Sequence, residues 1–179
     1  MANANLDRRV LRTRKALNAA FVKLVLSRGY EGLSADEICS EANVGRSTFY
    51  LHYANKEALL KESLKAVSIG LAACVDQTIT LRQLTALLDH FQEQRVRCRT
   101  FFTDPIRSIW VKCLAATIEP RLKRATRGAA ARPIMPGSLV ALWVAETQLA
   151  LIAHWLNGRP ALKSELIAAA LISNTRAMM

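Results

Sequence analysis

Sites for metal or covalent chemistry are missing from this sequence. Its three histidines, His52, His90 and His154, stand far apart. Its four cysteines, Cys39, Cys74, Cys98 and Cys113, are widely spaced, with no Cys-x-x-Cys among them. A metal site needs such ligands in clusters, so no metal and no cofactor is expected. The cysteines read as reduced thiols that fill core positions. No glycine-rich phosphate loop, His-Glu-x-x-His or Gly-x-Ser-x-Gly occurs, so the enzyme classes marked by those motifs drop out. No apolar run of roughly 18 residues or more is found, which argues against a membrane span. The first residues, Met-Ala-Asn-Ala-Asn-Leu-Asp-Arg-Arg, lack the apolar stretch of a secretory signal, and the expected compartment is the cytoplasm. Neither strand alternation nor an internal repeat is visible.

Acids are scarce too. Lys and Arg number 25 against 14 Asp and Glu, giving a net charge of +11 and a pI near 10.1. Such a balance favours polyanions, of which nucleic acid is the commonest. The excess is spread along the chain: nine Lys/Arg against five Asp/Glu over residues 1–56, and sixteen against nine over residues 57–179. The densest cluster is Arg8, Arg9, Arg12, Arg14 and Lys15, before and within the first helix. Hydrophobic residues make up 51% of the 179, enough for a sizeable core.

Residues 34–53 carry the clearest pattern. Ser34 followed by Glu37 forms a capping box at the start of a helix. Ile38 and Ala42 share one side of that helix. Asn43-Val44-Gly45 breaks it, because Asn and Gly tolerate the left-handed backbone of a tight turn. A second helix starts at Gly45 to Ser47 and carries Phe49 inward. Its other face holds Arg46, Ser47, Thr48, Tyr50 and His52, with no acid among them. Two crossed short helices, the second polar and basic, suit reading a DNA major groove. Before them, Leu17, Ala20, Phe21, Leu24 and Val25 repeat at helical spacing, and Gly29 closes that helix. After them, Asn55 caps a fourth helix that runs to about Val75.

The run from Arg12 to Leu60 resembles the DNA-binding domain of the tetracycline-repressor (TetR) family. Ala19-Ala20-Phe21, Arg28-Gly29-Tyr30, Asp36-Glu37-Ile38, Ala42-Asn43-Val44, Ser47-Thr48-Phe49-Tyr50, His52-Tyr53 and Asn55-Lys56-Glu57-Ala58-Leu59-Leu60 carry the match. The resemblance implies an all-α protein. Residues 1–54 would form a helix-turn-helix domain, and residues 55–179 a helical domain for dimerisation and effector binding. The expected DNA-contacting set is Ser34, Gly45, Arg46, Ser47, Thr48, Tyr50, Leu51, His52 and Lys56. For Lys56 the resemblance implies a phosphate contact, and free N–H groups at a helix N-terminus would share that phosphate.

Residues beyond 60 read as helical throughout. Thr80 and Gln83 form a second capping box. Asp104-Pro105 opens another helix, with Asp as N-cap and Pro first in the helix. That helix is expected to kink or stop at Glu119-Pro120. Residues 127–137 read as a loop. Residues 138–156 and 162–178 read as two closing helices, the first apolar almost all round. Such a helix needs burial on several sides, which a homodimer of two helices per subunit supplies. Trp143, Leu149, Ile152, Trp155, Leu166 and Ala170 are the expected interface. Phe101, Phe102, Trp110 and Cys98, with His90 as a directional contact, are the expected lining of an effector cavity, with plain core packing as the alternative. The basic run Arg121, Lys123, Arg124, Arg127 and Arg132 reads as a solvated face and loop.

The expected function is a DNA-binding transcriptional regulator: a repressor that binds a palindromic double-stranded operator as a homodimer and answers to a small molecule of unknown identity. No membrane partner is expected. The alternative is an effector-free architectural or protein-recruiting DNA-binding module whose second domain is a filled dimerisation scaffold.

Overall fold

A computed structural model describes residues 2–125, 135–158 and 162–178, with side chains from Arg8 onward. The expected loop positions Arg127 and Arg132, and residues 159–161 between the two expected closing helices, lie outside the described residues. Helices account for nearly all of the rest, and no strand occurs among the described residues. The helices are α1 (Ala2–Arg28), α2 (Ala35–Ala42), α3 (Arg46–His52), α4 (Lys56–Ala72), α5 (Leu81–Glu93), α6 (Arg95–Cys98), α7 (Ile106–Ala125), α8 (Gly137–Asn157) and α9 (Ser164–Ala177). A 3-10 turn, Arg99–Phe102, follows α6. The chain divides into two compact units, Met1–Ser63 and Leu64–Met179.

The first unit is built on α1. Its apolar positions Leu17, Phe21, Leu24 and Val25 meet Ile38 of α2, Phe49 of α3 and Leu59 and Leu60 of α4 in one buried core. Gly29 ends α1 with φ +81°, and its N–H reaches the Val25 carbonyl at 2.9 Å. A side chain there would strain the backbone. The unit takes in the first turns of α4 because they pack on α1. Ser63 hydrogen-bonds Asn18, and Arg14 Nη2 lies 3.1 Å from Glu62 Oε1.

The second unit is a helical bundle in which α7 packs on α8 and α5 on α9. The capping box at Thr80 and Gln83 forms as the spacing requires. Asp104 Oδ1 accepts the Ser108 N–H at 3.2 Å, though α7 opens at Ile106, one residue past Pro105. Pro120 does not stop α7, which continues to Ala125. Pro120 and Ala116, whose carbonyl loses its helical partner, are both exposed, so that carbonyl is not left buried and unpaired. Arg95 and Arg99 cap α8 from outside: their Nε atoms lie 2.7 and 3.0 Å from the Leu156 carbonyl. Two cations thus meet the negative end of that helix.

By length and composition alone α8 could cross a membrane, with 21 residues and a mean hydropathy of 1.5. The sequence expectation missed this because polar residues interrupt its apolar run. Its inner side is core: Val144, Ala145, Leu149, Ile152 and Leu156 are fully buried. Gln148 sits among them, its Nε2 donating to Thr175 Oγ1 at 2.9 Å and the Leu71 carbonyl at 3.2 Å. Packing inside the bundle accounts for the composition of this side.

Candidate nucleic-acid interface

Local chemistry sets α2 and α3. Ser34 Oγ accepts the Glu37 N–H at 3.2 Å, and Glu37 Oε2 accepts the Ser34 N–H at 2.9 Å. The hydrogen bonds from Ser34 hold the Glu37 carboxyl below its ordinary pKa. Asn43 takes the left-handed conformation at φ 51° and turns the chain after α2. Gly45 precedes α3 in ordinary extended backbone, at φ −65°. A Cβ there would meet Thr48 Oγ1 at 3.8 Å, an ordinary contact, so no strain requires glycine.

Phe49 anchors α3. It is fully buried, with Tyr50 edge-on at 5.3 Å and Tyr53 tilted at 5.9 Å between ring centres. With Phe49 inward, the other face of this seven-residue helix must point out. Arg46, Ser47, Tyr50 and Leu51 are exposed, Leu51 at 81%, and Thr48 and His52 are partly so. Ser34 and Gly45 are exposed beside them. No residue of α3 itself contributes a carboxylate to this face. An exposed leucine and tyrosine among hydroxyls and a guanidinium is the mixture that meets thymine methyls, base edges and phosphates.

Two neighbours hold Arg46. Its Nε lies 3.2 Å from Asp36 Oδ1, and its guanidinium stands 6.0 Å from the Tyr50 ring centre. Hydrogen bonding to Tyr50 and the Asp36 charge raise its pKa further. Asp36 stands beside Arg46, although in the sequence it appears only as part of the family resemblance. Its place in the first turn of α2, opposite the first residue of α3, was the available signal.

Lys56 has a different setting from the expected phosphate contact. Its ammonium donates to three backbone carbonyls, Tyr30 at 3.1 Å, Glu31 at 2.9 Å and Leu33 at 2.9 Å. It also stands 4.6 Å from the Tyr30 ring centre. All three of its protons are engaged in holding the α1–α2 connection to the start of α4.

In the second unit, Phe91, Phe102 and Trp110 pack ring on ring, with centres 5.0 to 6.5 Å apart. Trp110 is 1% exposed, and its indole N–H donates to Ser68 Oγ at 3.1 Å. Cys98 is buried, and burial pushes its thiol pKa up. Phe101 is half-buried, and His90 is exposed on α5, apart from this cluster. A pocket lined by Gln148, Leu171 and Thr175 holds about 10 Å³, room for about one water. A groove of about 260 Å³ along Glu93–Arg97 is open and lined partly by charged side chains.

The expected interface residues fall on two sides. Leu149, Ile152 and Trp155 are buried within the unit itself. Trp143 and Leu166 are outside, 47% and 58% exposed, with Leu139 and Leu142 beside Trp143. Ala170 lies half-buried near Leu166 on the outer side of α9. This division has a simple cause. Because α8 is apolar nearly all round, sequence pattern does not tell which side its own bundle takes.

Residues 17–63 match the sequence pattern of the bacterial regulatory proteins of the tetR family. Over 61 residues the chain is 44% identical to the uncharacterized HTH-type transcriptional regulator YxbF of Bacillus subtilis (strain 168). That stretch is 34% of this chain and only 16% of the relative's length. Among solved structures, a TetR transcriptional regulator from Streptococcus agalactiae 2603V superposes with a TM-score of 0.60 at 23% identity, over 97% of this chain and 98% of that one. Thermus thermophilus FadR, a TetR-family repressor in complex with lauroyl-CoA, superposes with a TM-score of 0.56 at 18% identity, over 93% and 94%. At these identities the superpositions speak for the fold alone.

Proposed function

We propose that this chain, whose residues 17–63 match the tetR family of bacterial regulatory proteins, is a cytoplasmic transcriptional regulator that binds an operator as a homodimer. The observation that carries this reading is the outward face of α3: Arg46, Ser47, Thr48, Tyr50, Leu51 and His52, free of acids, on a helix pinned from behind by Phe49. Ser34 would meet a phosphate only by releasing its N–H and hydroxyl from Glu37 Oε2, to which both are donated at 2.9 and 2.8 Å. Lys56 serves this surface by fixing the connection that leads into α2.

A single α3 reads too few bases for an operator, so two copies are required. Leu139, Leu142 and Trp143 of α8 and Leu166, Ala169 and Ala170 of α9 form the proposed dimer face. Several large apolar side chains left exposed side by side mark an interaction surface. Repression by occlusion of a promoter is the proposed mode.

The packing of Phe91, Phe102 and Trp110 favours the second reading at one point: a filled scaffold rather than an open effector cavity. A sensor needs an apolar pocket of roughly 300 Å³ or more. Opening one here would require the aromatic cluster to part. A thermal-shift series with flat apolar compounds separates the two. A saturable rise in melting temperature that Trp110→Ala abolishes supports a sensor, and its absence supports the scaffold.

The DNA-binding reading itself is tested by retention of duplex DNA. Wild type should bind random-sequence duplex at low salt and lose it steeply as salt rises, and Arg46→Ala with Tyr50→Ala should bind far less. Equal retention by both would contradict α3 as the reading helix.

A further inference from the structure

From Arg8 to Arg28, α1 carries seven basic residues and no acid. Three of the seven have partners: Arg14 with Glu62 at 3.1 Å, Lys23 with Glu41 at 2.5 Å and Arg28 with Glu37 at 3.1 Å. The other four, Arg8, Arg9, Arg12 and Lys15, are exposed and have no acidic partner among the described residues. Arg8, Arg12 and Lys15 follow at intervals of four and three, so they line one helix face. Like charges at that spacing repel one another. A polyanion laid along the face would relieve that repulsion.

The position of this face relates it to α3. Arg14 is where α1 is last tied to the unit. Its Nε lies 3.5 Å from Tyr53 Oη, and Tyr53 is the residue that ends α3. Upstream, α1 continues to Ala2, and even its apolar Val10 and Leu11 are exposed. The exposed basic stretch from Arg8 to Lys15 covers about eight residues, or roughly 12 Å at 1.5 Å per residue. It corresponds to about three or four base pairs at roughly 3.4 Å each. Val10 and Leu11 alone offer too little apolar surface for a helix lying on a membrane.

We infer that Arg8, Arg9, Arg12 and Lys15 hold DNA phosphates flanking the sequence read by α3, so that this stretch of α1 lengthens each subunit's footprint by about three or four base pairs. The inference rests on the DNA-binding reading. It adds a sequence-independent contact that α3 does not supply.

The test uses full-length protein and a variant carrying Arg8→Gln, Arg9→Gln, Arg12→Gln and Lys15→Gln. Glutamine keeps helix propensity, which circular dichroism checks. The probe is a duplex selected by wild type from a random pool, in two forms: trimmed to the selected sequence, or with about ten further base pairs on each side. Wild type is expected to bind the longer form at least about tenfold tighter, and the variant to bind both alike. The variant's salt slope on the longer form should be lower by about three or four, with the selected sequence unchanged. Selected-sequence binding with no flank dependence, or with an unchanged salt slope in the variant, overturns the inference. Binding to anionic phospholipid vesicles in place of flank dependence also overturns it, and assigns the stripe to a membrane surface. A wild type that retains no duplex at all refutes the DNA-binding reading beneath it, a result distinct from all of these.

Discussion

Arg46 Nε lies 3.2 Å from Asp36 Oδ1, joining the first residue of α3 to the first turn of α2. Both side chains are largely exposed, so the pair contributes under about 1 kcal/mol to stability. Its importance is in aiming the guanidinium, which DNA must draw away from a carboxylate. Asp36→Ala is expected to raise affinity for random duplex several-fold and to leave stability within about 0.5 kcal/mol. Arg46→Ala should lose about 1–3 kcal/mol on the selected sequence and relax preference at one position. Anisotropy titrations on selected and scrambled duplexes check both. Equal losses on the two duplexes would make Arg46 a phosphate contact only.

Lys56 separates a structural from a DNA-contacting role. Losing its three carbonyl bonds should destabilise the N-terminal unit by about 1.5–3 kcal/mol in Lys56→Met, read as a lower urea midpoint. A phosphate contact would instead leave the midpoint in place and lower the salt slope by about one.

The two sides of α8 give opposite outcomes for one substitution. Trp143→Glu on the outer side should yield a folded monomer by light scattering, with operator affinity lost. Leu149→Glu puts an unpaired charge into a fully buried position and should unfold the second unit. A dimeric, folded Trp143→Glu protein would place the interface elsewhere.

Acid should weaken the second unit through Asp76. Burial alone would raise its pKa. Hydrogen bonds from Thr78 at 2.6 Å and from Arg121 at 2.7 and 2.8 Å outweigh that and hold it below the ordinary 3.8. A carboxyl depressed in the folded state stabilises fully above its unfolded pKa and loses that contribution as pH falls through the folded one. Asp76→Asn should therefore lower stability by about 1–3 kcal/mol at pH 6, and the gap to wild type should narrow below about pH 4. Urea midpoints of the two proteins across pH 3–6 measure it, and a gap independent of pH would remove the ionised pair from the account.

The sequence revealed most where structure is decided locally. Both capping boxes, the left-handed Asn43 and the glycine that ends α1 follow from a few neighbouring residues. So does the outward face of α3, once Phe49 points inward. Features that depend on distant approach were not legible. The carbonyls that hold Lys56 come from a turn more than twenty residues earlier in the chain. Pro120 is tolerated in α7 because its side of the helix faces water, a fact of packing rather than of sequence. Leu149 and Trp143 are equally apolar in the pattern, and only the bundle decides which is core.

Selection of bound duplexes from a random pool by the full-length protein tests the central claim most directly. A two-fold-symmetric sequence should emerge, its half-sites about 34–36 Å apart or a multiple of that, as two α3 helices in one dimer require. Arg46→Ala should select the same spacing with one position degenerate in each half-site. No enrichment, or a single asymmetric site unaffected by Arg46→Ala, would contradict a dimeric regulator that reads DNA through α3.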